Sequence, residues 1–172
     1  MPFYQKRGQV PNKRHIQFRN DKGNLYWEEL ISRKGFSHIY SNVYHIHPPT
    51  AVQKVGDITI LPLEEWNGEH RHHHLKTRSL NHEGDAVTSR IPLFFNTDVI
   101  LSKAQVSQSM NSLYRNGHYD ECLFVHRGKG ILKSNFGSLT LTGGDYAIIP
   151  RGVIWQLDID KPMELLVLEN QL

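Results

Sequence analysis

The chain has 172 residues, 38% of them hydrophobic and 22% charged, which suits one globular domain with a sizeable core and excludes bulk disorder. No apolar run reaches the roughly 18 residues that a membrane-spanning helix needs, and residues 1–15 lack the apolar core of a secretory signal. Cys122 stands alone, so no internal disulfide can form; this fits a reducing compartment, and a cytoplasmic location is expected.

The net charge of +3 gathers partly at Lys6, Arg7, Lys13, Arg14 and Arg19. No helix-turn-helix, zinc-finger or RNA-binding pattern accompanies it, so neither nucleic acid nor a membrane is expected as a partner. Pro2, Gly8, Pro11 and Gly23 make residues 1–24 extended and turn-rich. Leu25 to Lys34 could hold one short helix, stopped by Gly35. From Tyr40 to Pro49 the chain is aromatic and histidine-rich. On a strand His45 and His47 would share a face, which is half a metal site. No acid or thiol lies close by in sequence, so a polar loop or edge strand is the favoured reading.

Thr50 to Leu63 reads as strand, turn, strand around Gly56-Asp57. His70, His72, His73 and His74 have the composition of a metal tract. On a strand only His70, His72 and His74 could share a side, so adventitious nickel or zinc affinity is expected there rather than a physiological site. Asn81 to Arg90 reads as a polar linker. Ile91 to Val106 reads as strand with a bulge or turn at Asn96-Thr97-Asp98, and Ser107 to Ser112 as a loop.

The stretch from Tyr114 to Trp155 reads as four or five short strands. Glu121, Leu123 and Val125 alternate with Cys122, Phe124 and His126, and Gly128 and Gly130 bracket a turn. Gly143-Gly144-Asp145 marks another turn, and Pro150-Arg151-Gly152 ends the run Tyr146 to Ile149. Val153, Trp155, Leu157 and Ile159 share one face, and Met163 to Glu169 is a closing strand. Short strands punctuated by glycine predict an all-β jelly-roll sandwich or small barrel.

Two blocks in this stretch resemble the cupin superfamily: Glu121 leading through an apolar strand to Gly128, and Gly144-Asp145 leading to Pro150-Arg151-Gly152. The resemblance implies a cupin-like jelly roll. In metal-binding cupins three histidines join the glutamate, and the matching positions here are Arg115, Gly117 and Trp155. One carboxylate cannot hold iron or zinc, which need three or four convergent donors, so no metal is expected. Trp155 offers an apolar body where a metal would sit, and the interior is expected to be plugged or ligand-lined. Glu121 and Trp155 are therefore the candidate ligand-binding residues. The plainer account of Glu121 is a carboxylate satisfied by nearby donors. Cys122, on the other face, reads as a packed small hydrophobe, and His118 and His126 as turn and surface residues.

A wider set of segments resembles the bacterial homogentisate 1,2-dioxygenase family. It includes Gly8-Gln9-Val10-Pro11, Leu25-Tyr26-Trp27-Glu28-Glu29-Leu30, Tyr44-His45-Ile46-His47-Pro48-Pro49, Pro92 to Val99, and Tyr114-Arg115-Asn116-Gly117 through Gly152. Members open the ring of homogentisate, a product of tyrosine breakdown, with O2 and Fe(II) held in a C-terminal half. The resemblance implies that this chain is the metal-less N-terminal domain or a shortened homologue. It would have an arm over residues 1–50, packing on a barrel over residues 51–172. No catalytic residue carries over, and the chain alone is expected to be inactive. The implied partner is a C-terminal catalytic domain. The alternatives are a stand-alone metal-free cupin holding a small aromatic or acidic ligand, or a structural oligomerisation domain. Phe3, Tyr4, Phe18, Tyr26, Trp27, Phe36, Tyr40 and Tyr44 give the arm more aromatic surface than it can bury in itself, which favours a homo-oligomer.

Overall fold

The computed structural model describes residues 17–32, 35, 40–61 and 63–171. The chain divides between Ile58 and Thr59 into two compact units. Phe3, Tyr4 and Phe36 of the arm, and the basic residues from Lys6 to Arg14, lie outside the described residues.

In the first unit the segment expected to be helical is a strand. β1 (Trp27–Ile31) pairs antiparallel with β2 (Ser41–His45), from Trp27 opposite His45 to Ile31 opposite Ser41. A helix of ten residues is marginal by itself, whereas the strand gains cross-strand partners. Tyr44 donates its hydroxyl to Glu28 Oε1 at 3.2 Å, and His45 Nε2 lies 2.8 Å from Glu29 Oε2. The acidic partner that His45 lacks in sequence is supplied by the hairpin. A turn forms at residues 20–24, in keeping with the turn-rich reading of this stretch: Asn20 Oδ1 accepts from the backbone N–H of Lys22 and of Asn24, both at 3.0 Å.

Residues 51–61 form no strand, contrary to the strand, turn, strand read from Thr50 to Leu63. Val52, Val55, Ile58 and Ile60 are each at least 78% exposed. Alternation specifies a strand only where one face has something to bury against. The histidine tract is likewise irregular and exposed, so alternation between strand faces does not apply to it. Among the described residues the sole helical element is a three-residue 3-10 turn, Thr77–Ser79.

The second unit is all β. Its strands are β3 (Glu83–Gly84), β4 (Arg90–Phe95), β5 (Val99–Val106), β6 (Tyr114–Arg115), β7 (Asp120–Ser134), β8 (Gly137–Thr142), β9 (Tyr146–Ile149) and β10 (Ile154–Asn170). Two of these are much longer than the sequence suggests. Gly128 and Gly130 do not bracket a turn, and Asp160-Lys161-Pro162 does not separate two strands. Both segments sit inside continuous strands, β7 and β10, which pair antiparallel along almost their whole length. The register slips between Ile159 and Leu165, and there the paired ribbon bends. Gly128 has φ +99°, and a Cβ on it would lie 2.5 Å from the Pro162 carbonyl oxygen. The close crossing therefore requires glycine. Pro162 is tolerated because the bulge leaves its missing N–H without a ladder partner.

The bend turns one ribbon into two layers. In the first, β4, β5, the C-terminal half of β10, the N-terminal half of β7, and β9 lie side by side. In the second, β6, the N-terminal half of β10, the C-terminal half of β7, and β8 do so. Ala104, Val106, Leu123, Val125, Leu165 and Val167 line the inner face of the first layer, and Leu132, Leu141, Trp155 and Leu157 that of the second. The Trp155 indole N–H reaches Glu121 across the gap at 3.0 Å, which fixes the layers face to face. This is the jelly-roll-like sandwich that the sequence predicts.

Candidate functional site

Among the aliphatic side chains between the layers sits a cluster of polar groups. Glu121 is 1% exposed, and both its oxygens are engaged. Oε1 accepts from Arg90 Nη1 at 2.7 Å, and Oε2 accepts from the Trp155 indole, itself 0% exposed. Arg90 Nη1 also lies 3.2 Å from Glu169 Oε1, which accepts from Asn116 Nδ2 at 3.0 Å. The Tyr114 ring covers this group: the Arg90 guanidinium carbon is 5.7 Å from its centroid, and it meets the Trp155 ring edge-on at 5.5 Å.

The local sequence explains why Arg90 points inward. The segment read as a polar linker is an ordered turn. Asp85 Oδ1 accepts from the backbone N–H groups of Val87 and Thr88 and from the Thr88 hydroxyl. Burial pushes the Asp85 carboxyl up, but these donors together with Arg90 outweigh it and hold the group below its ordinary value. Ala86, 0% exposed, turns its carbonyl to Arg90 Nε at 3.0 Å. The guanidinium is thus aimed by its own turn before it meets either carboxylate.

One cation faces two carboxylates, Glu121 fully buried and Glu169 half-buried. Burial pushes Glu169 up, Arg90 pulls it down and Glu121 pushes it up again, leaving it above its ordinary value. Tyr114 is pushed up to about 12, by burial first and then by the charge of Glu121. Removing one partner of a buried pair of this kind costs about 3–5 kcal/mol, because the other charge is left behind.

Of the sequence candidates, Glu121 and Trp155 are brought together, each as the other's partner. Arg115 lies on β6 opposite Ile154, and Gly117 is an exposed turn residue. Cys122 is half-buried on the outer face, its thiol pushed up by burial. His118 and His126 are exposed, as expected. His45 belongs to the first unit. His70, His72, His73 and His74 are exposed and gathered around no acid or thiol. Among the described residues no group of three or more His, Cys, Asp or Glu side chains is placed to hold a metal ion. The interior does not fit Fe(II). The position between Glu121 and Glu169 is taken by a guanidinium, and the buried atom there without a hydrogen-bond partner, Arg90 Nη2, is a donor. A donor calls for an acceptor rather than a cation.

Sequence reasoning missed Arg90, Glu169, Asn116 and Tyr114. Glu169 could have been found, since it continues the inward series Met163, Leu165, Val167. Arg90 could not, because its direction is set by the turn before it.

No protein-family profile matches the chain. A protein of Saccharolobus solfataricus named as a "putative dioxygenase" is 39% identical over 173 residues, covering 99% of this chain and 45% of its own length. The chain thus spans less than half of that relative. Among solved structures, a cupin-2 domain protein of Shewanella frigidimarina is 18% identical, with a TM-score of 0.44 over 48% of this chain and 79% of its own. A cupin protein of Bacteroides fragilis is 17% identical, with a TM-score of 0.44 over 55% of this chain and 86% of its own. Among the described residues no helix is long and apolar enough to cross a membrane. By sequence, then, the chain is similar along nearly its whole length to one part of a protein more than twice as long.

Proposed function

We propose that this chain is the metal-free, cupin-like domain of an oxygenase-related protein, and that it serves as a scaffold for a catalytic part rather than as the catalyst. The observation that carries the reading is the match of almost the whole chain to 45% of the Saccharolobus relative. The interior cluster supports it. A guanidinium between two carboxylates, capped by Tyr114 and Trp155, leaves no open ligand position of the kind a catalytic metal needs.

The more specific reading is a homogentisate 1,2-dioxygenase-like protein, acting with Fe(II) and O2 in tyrosine breakdown. It rests on the motif resemblance from Gly8 to Gly152. On this reading the iron belongs to the part of the protein that this chain does not contain. A small ligand held by Glu121 and Trp155 inside the sandwich would first have to break the bond between them. The test is to supply the purified chain with Fe(II), O2 and homogentisate, alone and mixed with the portion of the relative that it does not match. The chain alone should form no maleylacetoacetate, and the mixture should form it faster than the added portion alone. Turnover by the chain alone would overturn the scaffold reading.

A further inference from the structure

The outer face of the first layer carries a groove of about 520 Å3, the size of small-molecule sites. Its floor spans two neighbouring strands: Leu166 of β10 stands opposite Phe124 of β7. Beside the groove, Tyr146 of β9 stands opposite Phe124. The Phe124 and Tyr146 rings are 4.7 Å apart, and Tyr146 is 68% exposed. The floor is therefore apolar, and Tyr146 extends its aromatic surface outward at a tilt of 37°.

The rim is cationic. Lys103 of β5 stands opposite Leu166, and its ammonium donates to the Thr77 carbonyl at 2.7 Å. That bond holds the 3-10 turn against the groove and brings Arg78 to the wall. Arg127, at the bend of β7, faces from the other side. Three cations thus meet one carboxylate, Glu164. Among the described residues neither Arg78 nor Arg127 has an ion-pair partner. The interior follows the opposite rule, since its guanidinium bridges two carboxylates.

We propose that this groove binds an organic acid with a flat apolar body, its carboxylate among Arg78, Lys103 and Arg127 and its body on Phe124 and Leu166. Charge complementarity favours this occupant over a second copy of the chain. A two-fold contact presses a patch against its own image, which would set these cations against one another. The site lies on the opposite face of β7 from Glu121, Leu123 and Val125, and it does not depend on the scaffold reading.

The test uses the 172-residue chain with naphthalene-2-carboxylate, the matching neutral naphthalene-2-carboxamide, and fluorescence titration. The acid should bind saturably and about tenfold more tightly than the amide, since each solvent-exposed cation contributes up to roughly fivefold. The double variant Arg78→Gln/Arg127→Gln should melt with the parent, lose most of that preference and leave the amide unchanged. In the parent itself, raising the salt concentration should weaken the acid and spare the amide. Absence of saturable acid binding, equal binding of acid and amide, or a double variant that binds the acid like the parent would each overturn the proposal.

Discussion

The two faces of the first layer handle charge in opposite ways. On the inner face Arg90 reaches Glu121 and Glu169, Asn116 completes Glu169, and Trp155 completes Glu121. On the outer face Arg78, His126 and Arg127 stand exposed around an apolar floor. The difference follows from what water can do at each place. A charge between the layers has no solvent to fall back on, so its partners must be built in, and the structure depends on them. A charge on the outer face is solvated in any case, contributes little to folding, and stays available to something that arrives from outside.

That contrast predicts an ordered series of stability changes. Arg90→Met should cost the most, about 3–5 kcal/mol, because it strands Glu121 and Glu169 without their cation. Trp155→Ala should cost a similar about 3–5 kcal/mol, through the emptied aromatic site and the lost donor to Glu121. On the outer face Arg127→Gln should change stability by less than about 0.5 kcal/mol. Urea denaturation of the three variants checks the order. An Arg90→Met protein as stable as the parent would show that the interior does not depend on the guanidinium.

The same contrast can be sharpened with pH. Burial, and then the charge of Glu121, push the Tyr114 phenol up from its ordinary value of 10.0 to about 12. A raised value means that the folded chain holds the phenolic proton more tightly than the unfolded chain. Its contribution to stability is therefore complete below pH 10, and is lost as pH rises from there to about 12. Denaturation midpoints followed across that window should fall for the parent and fall less steeply for Tyr114→Phe. If the two profiles run parallel, the phenol is not held among the buried charges as described.

Much of this arrangement is legible in the sequence, for reasons of period. The alternation of Glu121, Leu123 and Val125, and of Trp155 and Leu157, places both site candidates on inner faces, where they are found. The all-β class follows from the same pattern. What escapes is non-local. The helix expected from Leu25 to Lys34 gives way to a hairpin because its partner lies at residues 41–45. The strand, turn, strand read from Thr50 to Leu63 does not form because, among the described residues, none pairs with residues 51–61. Gly128 and Pro162, which read as chain breaks, are where two long strands bend past each other. Arg90 is invisible because an Asx turn at Asp85, not a repeat, decides where it points.

Assembly is expected to show a smaller effect. Trp27 and Tyr40 of the first unit are 54% and 51% exposed, and we propose that they meet a second copy of the chain. Sedimentation at micromolar concentration should show a dimer that dissociates or loses solubility when residues 1–36 are removed. A parent that sediments as a monomer, with no loss of solubility on truncation, would contradict this.

The central claim is that the sandwich interior is closed by an internal cation and is not a metal centre. The most direct measurement is Fe(II) binding by calorimetry under anaerobic conditions, together with thermal melting. It should be made on a chain in which His70, His72, His73 and His74 are replaced by alanine, to remove adventitious binding. We expect no heat of binding and an unchanged melting temperature. Saturable Fe(II) binding that raises the melting temperature, and that disappears with Glu121→Gln, would contradict the account.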